Sequence, residues 1–240
     1  MAERRSLLQT FRAIQAIAET DVTILLPEAE IPHWDYAAQW FAFSYRADHQ
    51  QGPLLTLEID HKEPYVSIGS LGRPLLFPHK AFDLYRQSWT PRALFASFAG
   101  NPSKVRKRVL IGWKRSQRRT IQRVVSLTWT GQGRSWPEKG WDPNYVAQLG
   151  RSLFALCPAG DFHWTYRFFE AAAAGAMPIV EAGHALYEGF HYFLMDEAVA
   201  DLDWSMTKAK ENYELARALL TIDLDELAAE ISRLVDQSND

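Results

Sequence analysis

The sequence predicts an α/β protein whose larger, C-terminal part is a parallel, doubly wound sheet. Two observations carry this. From about residue 92 onward, short apolar runs alternate with helical patterns, the signature of strand–helix–strand units. The runs LFALC (153–157) and MPIV (177–180) are apolar throughout, as in strands covered on both faces. The first 91 residues carry mixed signals with turn-rich joins and read as a smaller α/β domain. The predicted division is therefore 1–91 and 92–240.

Each element has its own signal. Residues 4–19 place Leu7, Leu8, Phe11, Ile14, Ile17 and Ala18 at helical spacing. VTILLP (22–27) and PLLTLEID (53–60) read as strands, with a loop leading into a helix over 32–46 between them. EPYVSIG and RPLLFPHK read as two further extended pieces. ALFASFAGN (93–101) is a strand ending at Gly100-Asn101, followed by a basic helical stretch from Lys104. TIQRVVSLTWTG (120–131) is the next strand, GRSWPEKGWDPN (133–144) a loop, and YVAQLGRS leads into LFALCPAG. A helix over TYRFFEAAAAG precedes MPIV, with Thr165 as N-cap and Gly175 as stop. HYFLMDE (191–197) reads as a strand, and 205–220 and 224–236 as amphipathic helices.

Composition sets bounds on partners. The chain has 240 residues, 47% hydrophobic and 23% charged, as in ordinary globular proteins. A net charge of −3 provides no global field for nucleic acid or an anionic membrane, and a nucleic-acid partner is not expected. A local patch stays open in the run from Lys104 to Arg119. The N-terminus has no apolar core or cleavage site of a signal, and no apolar run approaches a membrane span. The single cysteine, Cys157, excludes an internal disulfide and fits a reducing compartment, so the expected location is cytoplasmic.

The chemistry concentrates in LCPAGDFHWTYRFFEAAAAGAMPIV (156–180). Ligands of open α/β sheets sit beyond the carboxyl ends of the strands, where helices begin. Arg167 lies in the first turn of such a helix, a poor place for a cation unless an anion binds there. Glu170 is three residues on and shares its face. An arginine grips a diphosphate in fork geometry, and a carboxylate accepts from a ribose diol. The alternative is a surface ion pair between the two, both projecting from an exposed helix turn.

This stretch resembles the nucleotide-sugar signature of GT-B glycosyltransferases, most of all the exostosin-like family. That pattern runs C-P-x-G, a variable loop, then R-[FL]-x-E-A-x-x-x-G-x-[IMV]-P-[IV]-[IV]. Cys157, Pro158, Gly160, Arg167, Glu170, Ala171, Gly175, Pro178 and Val180 match it. FASFAGNPSKVRKRVL (95–110) is similar to the first strand and helix of the family's donor domain, and the likeness extends over about 92–197. The resemblance implies a GT-B-like fold with a Rossmann-like donor domain and a reduced N-terminal, acceptor-side domain. It implies glycosyl transfer from a nucleotide-sugar donor to a hydroxyl acceptor, without metal or cofactor. Arg167 is expected on the diphosphate and Glu170 on the ribose. Gly100, Asn101, Arg106, Gly160, Thr165 and Tyr166 join them as substrate-binding candidates. A non-catalytic nucleotide- or sugar-binding protein on the same fold is the alternative. Phe162 stands where several retaining families carry a second glutamate.

A general base near neutral pH points to histidine. His79 and His163 are the preferred candidates, with His33, His61, Asp35 and Asp60 as competitors. Two D-x-D triplets, Asp201-Leu-Asp203 and Asp223-Leu-Asp225, sit at predicted helix starts and read as caps. Trp34, Trp136, Trp141 and Trp164 fall in loop-like surroundings compatible with sugar or base stacking.

Overall fold

A computed structural model of the chain describes residues 2–20, 25–27, 46–48, 57–60, 62–100, 103–117, 124–129, 143–160 and 162–238. In chain order it begins with helix α1 (Ala2–Ile17) and five short strands. These are β1 (Leu25–Pro27), β2 (Arg46–Asp48), β3 (Leu57–Asp60), β4 (Tyr65–Ile68) and β5 (Leu71–Arg73). Then come α2 (His79–Gln87), β6 (Leu94–Gly100), α3 (Lys104–Ser116), β7 (Val125–Trp129) and α4 (Pro143–Gly150). β8 (Ser152–Cys157), α5 (Tyr166–Ala173) and β9 (Met177–Val180) follow, and β10 (Phe193–Leu194), α6 (Met206–Leu220) and α7 (Leu224–Ser238) close the chain.

The chain forms two compact units. The first is built from Met1–Ala81 with Ala218–Asp240, the second from Phe82–Ser135 with Asp142–Arg217. The C-terminal helix thus clusters with the N-terminal residues and not with 92–217. An amphipathic stripe shows that a helix covers a core, but not which core.

In the first unit, β3, β4 and β5 form an antiparallel sheet and β1 pairs with β2 in parallel. Ala13, Ala16 and Ile17 of α1 pack in one cluster with Val66, Ile68, Leu76, Ile222, Leu227 and Ile231. The β4–β5 turn depends on Gly69, whose φ of 57° is accessible to glycine at no steric cost. Next to it the Ser70 amide donates to Glu230 Oε1 at 2.6 Å, and Arg233 holds the same carboxylate with two nitrogens at 2.6 and 2.7 Å. Arg233 thereby pulls the Glu230 carboxyl down to about 2, with the Ser70 amide adding to the effect.

The second unit is a five-stranded parallel sheet, order β10-β9-β8-β6-β7, flanked by helices. Its central strands are nearly buried throughout, which accounts for the unbroken apolar runs. Helix α5 lies flat on the sheet with all eight residues buried. It ends as a Schellman motif. Gly175 takes φ 70°, its amide donates to Ala172 O at 3.1 Å, and the Ala176 amide donates to Ala171 O at 2.9 Å.

Arg92 holds the opposite end of this unit. Its guanidinium donates to the carbonyls of Leu149, Gly150, Ser152 and Ala174, at 2.7 to 3.2 Å. Its carbon stands 5.6 Å from the Trp89 ring and 5.3 Å from the Trp204 ring. Those carbonyls include the orphan ends of α4 and α5, where a cation is favoured by the dipoles. Burial, with the nearby Arg86, lowers its pKa to about 10, so it stays charged at neutral pH.

Two extended readings are corrected, and one helix is added. RPLLFPHK ends in a helix, because Pro78 leads into α2. YVAQLG, for which the sequence names no element, is helical as α4, opened by Pro143 at its first position. HYFLMDE keeps only Phe193–Leu194 as strand at the sheet edge. The readings over 32–45 and 133–142 lie outside the described residues.

Candidate functional site

The chain leaves β6 toward β7 on one side and returns to β8 on the other, so the crossovers reverse direction between β6 and β8. In open α/β sheets a crevice opens outside the carboxyl ends at such a point. Ala96 is level with Phe154 and Ser97 with Ala155, which brings Gly100 level with the exit of β8. The ends of β6 and β8 therefore lie side by side.

Helix α5 starts at this edge. Thr165 takes an extended conformation, and its hydroxyl accepts from the Arg167 amide at 3.3 Å. The Thr165 amide itself donates to Tyr187 Oη at 3.0 Å, and the Tyr187 ring stacks on Phe168 with centroids 3.7 Å apart. The loop ahead of the helix is tied twice. The Ala159 amide donates to Glu181 Oε1 at 2.7 Å, and Arg106 Nε donates to the Ala159 carbonyl at 3.2 Å. Ser103 caps α3 beside it, accepting from the Arg106 amide.

Arg167 and Glu170 do not project from an exposed turn. Arg167 is 6% exposed and Glu170 fully buried. The helix lies flat between sheet and overlying chain, so both faces are covered, which the Arg-x-x-Glu spacing does not reveal. Arg167 Nη2 donates to the Ala99 carbonyl, and its guanidinium carbon stands 4.3 Å from the Phe98 ring centroid. A β-carbon on Gly100 would collide with Arg167 Nη2. The residues of β6 from Phe98 to Gly100 thus form a seat for the guanidinium. Its Nε is buried and has no hydrogen-bond partner among the described residues, and the same holds for Trp164 Nε1 in the loop before the helix. Glu170 Oε2 accepts from the Tyr145 hydroxyl of α4 at 2.7 Å. Cys157 lies within the field of both charged residues. Burial pushes its thiol up to about 12, with Arg167 opposing and Glu170 reinforcing the rise, so it is protonated at neutral pH.

No family model matches the chain, and a search of curated proteins returns no match.

The structure brings Arg106, Gly100, Gly160, Thr165, Tyr166 and Arg167 to one edge of the parallel sheet, with Glu170 one turn further along α5. Tyr166 is 9% exposed and Gly160 is exposed. Asn101, His33, His61, Asp35, Trp34, Trp136 and Trp141 lie outside the described residues. His163 is exposed in the loop before α5. His79 belongs to the first unit, at the start of α2. Its amide donates to Glu19, and its ring Nε2 lies 2.8 Å from the Ile222 carbonyl. A carbonyl only accepts, so that nitrogen carries a proton and cannot act as a base there. Asp60 accepts from the Lys62 and Glu63 amides as a turn residue. Asp223 caps α7 through the Asp225 and Glu226 amides, whereas Asp203 pairs with Lys208 at 2.8 Å and Ser205 caps α6.

Sequence reasoning misses Tyr145, Phe98, Glu181 and Tyr187. Tyr145 had a legible signal, since a proline that opens a helix at 143 puts position 145 in its first turn. The other three reach the site through tertiary contacts that have no local pattern.

Proposed function

We propose that the protein is a glycosyltransferase of GT-B character, similar to the exostosin-like family, that takes its sugar from a nucleotide-sugar donor. The observation that carries this reading is Arg167. It is a buried guanidinium whose Nε has no partner among the described residues, seated in the first turn of α5 where the sheet crossovers reverse. A buried donor without a partner costs about 1–3 kcal/mol, which a bound anion removes. A diphosphate at this edge meets Arg167, the positive end of the α5 dipole and the guanidinium of Arg106. These groups stabilise the charge that develops on the leaving diphosphate as the glycosidic bond breaks. No metal or cofactor is invoked. The acceptor is a hydroxyl compound, and the base that takes its proton is His163, the candidate of this unit with an exposed ring.

One observation favours a second reading, a nucleotide- or sugar-binding protein without transfer. The family likeness assigns Glu170 to the ribose diol, but its carboxylate is buried and engaged by Tyr145. A carboxylate so placed serves the helix packing first. A thermal-shift screen with nucleoside diphosphates and nucleotide sugars tests the site. A ligand at a hundred times its dissociation constant stabilises by about 2.7 kcal/mol. Release of free sugar from a nucleotide sugar then separates transferase from binder. No stabilisation by any nucleotide would remove both readings.

A further inference from the structure

Helix α3 has no acidic residue among its thirteen, KVRKRVLIGWKRS. It rests on the sheet through Leu110 and Trp113, its buried residues. At 100° per residue, Lys104, Arg108, Ile111 and Arg115 fall along the line opposite that contact. The outward line is thus basic from end to end, with an aliphatic side chain in the middle. Val105 lies to one side of that line, and it is 59% exposed and Ile111 37%. Lys114 Nζ donates to the Val125 carbonyl at 3.3 Å, which holds the last turn of α3 to the start of β7.

Val105 and Ile111 set aliphatic surface among those cations. A nucleic-acid backbone draws on the charge alone, and the outward line of α3 offers no aromatic ring for base stacking. A lipid surface uses both features. Lysine and arginine reach the headgroups on long stems, while aliphatic groups enter the layer just beneath them. No described helix is long and apolar enough to cross a membrane, so the contact is one of lying on the surface. We propose that the outer face of α3 docks on an anionic lipid surface, with the basic side chains on the headgroups and Val105 and Ile111 in the interfacial layer. This does not depend on the nucleotide reading of the neighbouring edge.

The test is co-sedimentation of the full chain with phosphatidylcholine vesicles, with and without phosphatidylserine. Binding is expected only to the anionic vesicles, and it weakens as salt is raised. Replacing Arg108→Gln and Arg115→Gln together lowers vesicle affinity roughly 25-fold, about fivefold for each cation. Val105→Ser with Ile111→Ser lowers it severalfold, with the melting temperature of each variant unchanged because the side chains are exposed. Absence of binding to anionic vesicles overturns the proposal, as does binding that neither double variant weakens. Loss in the arginine variant alone overturns the interfacial insertion. Salt-sensitive binding to duplex DNA or polyglutamate, with none to vesicles, assigns the face to another partner and overturns it as well.

Discussion

The guanidinium of Arg167 occupies the space that a β-carbon on Gly100 would need. Gly100 ends β6 and Arg167 begins α5, so a contact between residues 67 positions apart fixes how the helix start meets the strand end. The nearby backbone conformation does not demand a glycine; the arginine does. Gly100→Ala is expected to push the guanidinium off Phe98 and break its bond to the Ala99 carbonyl. We expect a stability loss of about 1–3 kcal/mol, the scale of overpacking, together with weaker nucleoside diphosphate binding. Chemical denaturation and calorimetric titration of the same variant check both. Unchanged stability and affinity would show that the seat is dispensable.

A buried hydrogen bond from Tyr145 to Glu170 joins α4 to α5. Tyr145→Phe leaves a buried carboxylate short of a donor and is expected to cost about 1–3 kcal/mol. Glu170→Gln keeps an acceptor for the hydroxyl and is expected to retain part of the bond. A double-mutant cycle of the two should give a coupling within about 0.5–3 kcal/mol. Additive losses would show that the pair is not coupled. If Glu170 also serves the ribose, Glu170→Gln weakens ribonucleotides and spares 2′,3′-dideoxy analogues.

Arg92 is the main polar staple of the second unit. Arg92→Ala removes the donors of four carbonyls, and about 3 kcal/mol or more should be lost. For a chain of this size that is a fall of roughly 6–12 °C in melting temperature. Arg92→Lys should recover only part, because an ammonium does not span the fork of acceptors. Full recovery with lysine would show that the charge near the helix ends matters and the geometry does not.

Glu230 carries a pH signature for the first unit. Its carboxyl is held down to about 2 by Arg233 and the Ser70 amide, against an ordinary value of 4.5. A group whose folded pKa is depressed contributes stability above its unfolded value and loses it as pH falls through the folded one. The stability gap between the wild type and Glu230→Gln should therefore be full above about pH 4.5 and close progressively toward pH 2. Urea unfolding across that range reads the gap. A gap that stays constant down to pH 2 would mean the carboxylate is not held by these partners.

The parallel sheet was legible because its strands are covered on both faces and read as unbroken apolar runs. Thr165 and Gly175 marked the ends of α5 because capping chemistry is local. What the sequence did not reveal is set by tertiary packing. The burial of Arg167 and Glu170 depends on what covers α5, and its Ala171–Ala174 run is compatible with a surface helix or a buried one. Arg92 acts on carbonyls from three separate segments, so no spacing announces it. Helix α7 carries a clear amphipathic stripe, but the stripe is silent about which unit it closes. His79 drew attention as an ionisable residue in a turn, and its ring is instead bonded to the Ile222 carbonyl.

The central claim is that Arg167 serves a diphosphate, and calorimetric titration of the wild type and Arg167→Lys tests it most directly. The lysine variant keeps the charge and limits the packing loss, and its melting temperature reports any loss of structure separately. Each protein is titrated with a nucleoside diphosphate and with the bare nucleoside. The account predicts that diphosphate affinity falls by roughly ten- to a hundredfold, the equivalent of about 1.5–3 kcal/mol for a charge-assisted contact, while nucleoside affinity hardly moves. Equal diphosphate affinity in the two proteins, or no diphosphate binding by the wild type, would contradict it.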